Sequence, residues 1–91
     1  MKQYVIERDL PGIGKLNREQ LKDAAATSND ALAKLSGKAQ WLQSFVVDDK
    51  TFCIYLADSE DTIRKHSELS GIPAGTITEI PQIIDPLTAN N

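Results

Sequence analysis

Three side chains in this sequence have the chemistry to hold a metal ion or move a proton: Glu7, Cys53 and His66. Cys53 is the one cysteine and His66 the one histidine, and Glu7 closes the apolar run Tyr4-Val5-Ile6. A thiol, an imidazole and a carboxylate together suit borderline ions such as nickel, copper or zinc better than magnesium or calcium. A closed zinc site takes four nitrogen or sulfur ligands, and one chain offers one of each. Metal binding would therefore draw on carboxylates, water or a second copy. Each residue also has a plainer reading. Free cysteine behaves as a small buried hydrophobe unless nearby positive charge or a metal lowers its pKa. A carboxylate at a strand end is solvated or paired, here with Arg8 or Lys65. A histidine on a helix border is a core residue with a satisfied nitrogen as readily as a ligand. Tyr4, Tyr55 and Trp41 read as core or contact residues. No nucleophile motif, second histidine or Cys-x-x-Cys supports catalysis. Gly12-Ile13-Gly14-Lys15 lacks the spacing and the following Ser or Thr of a phosphate loop, and reads as a plain connection.

The elements that must position these residues follow from apolar periodicity. Residues 2–9 read as a strand. Asn17, with Gln20 as its capping-box partner, opens a helix over 18–36. Its buried stripe is Leu21, Ala24, Ala25, Ser28, Leu32 and Leu35, and Gly37 stands where a helix ends left-handed. A hairpin spans 40–58; a loop centred on Asp49 and Lys50 sets Val47 opposite Phe52 and Phe45 opposite Ile54. Alternation then predicts a core face of Trp41, Phe45, Val47, Phe52, Ile54 and Leu56, and a mixed face with Leu42, Ser44, Val46, Cys53, Tyr55 and Ala57. Asp58 or Ser59 caps a second helix that carries Ile63, His66 and Leu69 inward and stops at Gly71. The last strand is expected over 76–84, at a sheet edge because Pro81 cannot donate to a ladder.

Strand, helix, strand, strand, helix, strand is the order of an α+β ferredoxin-like βαββαβ sandwich, a four-stranded antiparallel sheet with two helices on one face. Helices on one face leave the mixed face to be covered by a second copy, as in dimeric α/β barrels, so a homodimer is expected. If Ile6 faces the helices, Glu7 lies near Cys53 on the mixed face, with His66 on the other side of the sheet.

Composition narrows the partners. The 91 residues suffice for one domain, 1–91, with 85–91 expected to fray. A net charge of -3 with scattered lysines and arginines argues against nucleic acid. One cysteine allows no internal disulfide, and no apolar stretch suits a membrane span or signal peptide, so a cytoplasmic protein is expected.

The segments Tyr4–Gly12, Trp41–Ala57, Ile63–Ser67 and Gly71–Ala74 resemble a family of small bacterial proteins classed as a domain of unknown function. Its namesake is a nickel-binding protein with a dimeric ferredoxin-like fold. The resemblance spans nearly the whole chain; it departs at Ser67, where the family usually has alanine. It implies the same fold and dimer, and it points to Glu7, Cys53 and His66 as places to look for nickel or another divalent metal. The expected function is a small metal-binding protein. The alternatives are a small-ligand module with its ligand between the two mixed faces, or a cofactor-free enzyme of the dimeric α/β-barrel type with His66 or Glu7 as base.

Overall fold

In the computed structural model, which describes residues 1–90, Lys2–Asp9 forms the first strand, β1. Its side chains alternate strictly, with Tyr4, Ile6 and Arg8 buried on one face and Val5 and Glu7 half-exposed on the other. Asn17 caps the first helix, α1 (Arg18–Ala33), through the reciprocal capping box with Gln20. The helix stops at Ala33 rather than Ser36, because Ser36 and Gly37 both turn left-handed at φ 53 and 77. Strands β2 (Ala39–Val46) and β3 (Lys50–Ala57) make the hairpin. The second helix, α2 (Glu60–Ser70), is capped by Ser59 and ended by Gly71 at φ 73, a conformation that glycine adopts without strain. Strand β4 is Thr76–Ile80, so Pro81 follows the strand rather than interrupting it. Pro86–Asn90, within the tail expected to fray, winds into a short 3-10 turn whose first amides bond Asp85. Asn91 lies outside the described residues.

The sheet order is β2-β3-β1-β4, every pair antiparallel, with β1 and β3 central and the proline-bounded β4 at an edge. Both helices lie on the face that carries Tyr4, Ile6 and Tyr55, which completes the ferredoxin-like sandwich. Ile6 and Ile63 are fully buried at its centre, each contributing about 1.5–3 kcal/mol of apolar burial.

The hairpin differs from its sequence reading in two ways. The turn is centred on Asp48 and Asp49, with Val47 N–H donating to the Lys50 carbonyl at 3.0 Å, and Phe45 pairs with Phe52. The faces of β3 are the reverse of those expected: Thr51, Cys53, Tyr55 and Ala57 are buried under the helices, and Phe52, Ile54 and Leu56 lie on the open side. A bulge at Leu42, where the register shifts between Trp41 and Gln43, lets both Trp41 and Ser44 point inward. Their contact is direct, Trp41 Nε1 donating to Ser44 Oγ at 2.9 Å. The expectation failed because the open face is as apolar as the covered one, so hydrophobicity could not tell them apart.

The 10–16 connection is pinned to the hairpin turn. Leu10 N–H and Gly14 N–H donate to the carbonyls of Asp49 and Asp48, and Gly12 N–H to the Asp49 carboxylate at 2.9 Å. A Cβ on Gly14 would lie 2.7 Å from the Val47 carbonyl oxygen and 2.8 Å from Asp48 Cα, both backbone. Gly14→Ala is therefore expected to lower stability by about 1–3 kcal/mol through overpacking, read as a lower urea midpoint at unchanged slope.

Candidate functional site

Three elements converge on Tyr55. Ser28 of α1 hydrogen-bonds its phenol at 3.3 Å and, on the other side, His66 Nε2 of α2 at 3.1 Å. His66 Nε2 also lies 3.4 Å from the Ser28 carbonyl. The Tyr55 and His66 rings tilt against each other with centroids 5.3 Å apart, and Trp41 stacks beyond Tyr55 at 6.5 Å. Ser28 sits in the small-residue part of the α1 stripe, where the helix approaches closely enough for a hydroxyl to reach both rings.

Arg8 completes the group. It is only 2% exposed, and its Cζ stands 5.9 Å from the Tyr55 ring centroid, within cation–π range. Nη1 donates to Ser67 Oγ at 3.2 Å and to the carbonyls of Ile72 and Pro73 at 3.0 and 2.8 Å. Nη2 is buried without a partner, and no ion pair among the described residues involves Arg8. Its signal in the sequence was positional: Arg8 follows Tyr4 and Ile6 in the period-two series of the covered face.

These residues border a cleft of about 490 Å³ between α1 and the sheet. Leu21, Ala24 and Ala25 of α1 form one wall, and Trp41, Cys53 and Tyr55 of the sheet the other. Arg8, Ser28 and Thr51 add polar groups. Mostly apolar walls with a few convergent polar groups are the usual anatomy of a small-molecule site.

The three residues singled out from the sequence separate. Cys53 is buried on the helix side, lines the cleft and lies 3.4 Å from Thr51 Oγ1. His66 is fully buried behind Ser28, with Nδ1 unpartnered. Glu7 is on the open face, where Lys50 Nζ lies 3.7 Å away, so its partner is neither Arg8 nor Lys65. Cys53 and His66 thus share a side of the sheet, and Glu7 is the one opposite. Among the described residues no group of three or more His, Cys, Asp and Glu side chains is placed to hold a metal ion.

Burial pushes the Tyr55 phenol up; its bond to Ser28 and the Arg8 charge pull the other way without offsetting it. Burial, and then repulsion by Arg8, hold the His66 imidazole below its ordinary value of 6.5. A Ser28–His66 contact resembles part of a nucleophile–base pair, but a base needs a third group to orient it, and His66 Nδ1 has none. Neither His66 nor Glu7 lines the cleft, so neither is set to take a proton from a molecule there.

A sequence model of a family described as nickel responsive protein, SCO4226-like, matches residues 4–80. Among solved structures, SCO4226 from Streptomyces coelicolor A3(2) superimposes with a TM-score of 0.73, over 90% of this chain and 99% of its own, at 18% identity. That likeness is one of fold. No curated protein matches the sequence.

Two outcomes are expected. Ser28→Ala removes the partner of the Tyr55 phenol and leaves His66 Nε2 with only the residue 28 carbonyl, and lowers stability by about 1–3 kcal/mol in urea denaturation. His66 titrates near 6.5 when unfolded and lower when folded, so below about pH 6.5 the unfolded chain binds more protons. The neutral ring's stability is present above that value and is lost as pH falls through it. The urea midpoint should therefore drop between about pH 7.5 and about pH 5.5, and drop less in His66→Asn.

Proposed function

This chain belongs to the SCO4226-like family of nickel responsive proteins, and from that premise we propose that it is a small binding protein whose ligand sits in the cleft between α1 and the sheet. One observation carries the reading: a cleft of about 490 Å³ with apolar walls and a buried, incompletely bonded arginine at its border. The alternative weighed from the sequence set a ligand between two mixed sheet faces. Tyr55, which that interior required together with Leu42 and Val46, lies instead beneath α1.

Nickel does not fit this cleft. Its lining holds two metal-ligating side chains, Cys53 and Glu19, against three cations, Arg8, Arg18 and Lys22, which repel a dication. Nickel responsiveness is what the family's description says. Glu7, on the far face, has no contact with Cys53 or His66, so nickel titrated calorimetrically into reduced wild type and into Glu7→Gln should give matching isotherms.

The homodimer belongs to the same proposal. Val5, Phe52, Ile54 and Leu56 lie half-exposed on the open face and Phe45 is 52% exposed beside them. A two-fold pairing of this face would remove one continuous apolar surface from water. Sedimentation at micromolar concentration is expected to show a dimer, and Ile54→Glu a monomer; a wild type that is only monomeric overturns this part.

For the cleft, titration with small neutral probes (indole, 2-naphthol) under NMR observation is expected to move the Trp41 indole N–H and the Ala25 amide. Ala25→Trp, which fills the space, should abolish those shifts. Shifts that are absent, or that persist in the filled variant, count against the reading.

A further inference from the structure

We propose that the cleft's ligand carries a carboxylate, bound by the guanidinium of Arg8, on an apolar body held against Trp41 and Leu21. The inference rests on the cleft being the binding site, and three observations select the charge.

The first is hydrogen-bond accounting. A guanidinium has five donors in a planar fork and cannot shed its proton in a protein. Arg8 is 2% exposed, its three bonds all come from Nη1, and Nη2 has no acceptor. Buried donors are almost always paired, and an unpaired one calls for an explanation. Arg8 borders the cleft, so a small swing of the guanidinium toward a carboxylate held there would supply the acceptor that Nη2 lacks.

The second is charge. A buried ion is ordinarily matched by an opposite one. The acceptors that hold Nη1 are a hydroxyl and two carbonyls, all neutral, and no carboxylate among the described residues pairs with Arg8. Among the described residues the buried charge of Arg8 thus has no opposite partner, and an anion in the cleft would supply one.

The third is the composition of the lining. Arg8, Arg18 and Lys22 border the cleft against the single acid Glu19. The chain as a whole carries -3. Local charge thus opposes the global sign, as in clefts that draw anionic ligands in. The apolar walls favour an organic acid over an inorganic anion, whose full hydration shell they could not replace.

The test is calorimetric titration of 2-naphthoate and its neutral counterpart 2-naphthamide into wild type, Arg8→Met, Arg8→Lys and Ala25→Trp. The expected result is that naphthoate binds wild type at least about tenfold more tightly than naphthamide. That preference should disappear in Arg8→Met and shrink in Arg8→Lys, which keeps the charge but loses the fork. Ala25→Trp should lose both probes. Equal affinities in wild type overturn the carboxylate while the cleft reading stands. Binding of neither probe, or binding undiminished in Ala25→Trp, overturns both. Should Arg8→Met fail to fold by circular dichroism, the two probes on wild type decide alone.

Discussion

A charge removed from water must find acceptors, and the way Arg8 finds its own organises one side of this fold. Its side chain leaves β1 on the covered face, and Nη1 gathers Ser67, near the end of α2, with the carbonyls of Ile72 and Pro73 just beyond. Those carbonyls come within reach because Gly71 reverses the chain in a left-handed conformation. The guanidinium therefore fixes the end of α2 against β1 and the start of the segment leading to β4. With α2 held there, His66 lies over Tyr55, and Ser28 of α1 closes the group from the other side. Each bond lost among groups buried this completely is costly, so the two helices and the central strands are tied at a single point.

That arrangement makes the two faces of the sheet different in kind. The covered face is polar at its centre and stays partly open, since α1 meets the sheet closely at Ser28 and parts from it at the cleft. The open face carries Phe52, Ile54 and Leu56 with the Glu7–Lys50 pair at one end. An exposed pair of that type contributes little to stability; the alternation along β1 is what sets Glu7 on the side opposite Cys53. Similarity to SCO4226 at 18% identity accounts for the sandwich itself. It leaves the chemistry of the cleft to this chain's own residues.

Most of the local structure was legible in the sequence. The Asn17–Gln20 capping box, the Gly71 stop and the strand at 2–9 rest on residue types with specific backbone consequences and stand as read, and of the two caps offered for α2, Asp58 and Ser59, the structure uses Ser59. The strand order followed from the element order together with the proline after β4. Most of the α1 stripe was also legible, Ser28 included, but it passed over Ala31, which is buried, and a serine in a stripe does not announce which rings it will touch.

What the sequence determined by itself was thus the set of elements and their connection, because caps, turn glycines and periodicity act within a few residues. Only the tertiary structure decided which side of β3 is covered. Both sides are apolar enough to be buried, and a bulge at Leu42 upsets the alternation on β2 that would have guided the choice. That one decision moved Cys53 and Tyr55 beneath the helices and separated them from Glu7. It also set them beside Arg8, whose importance comes from a bond it lacks and so could not be read from residue order. Glu7, Cys53 and His66 drew attention through their chemistry; the site they suggested depends on distances that only packing sets.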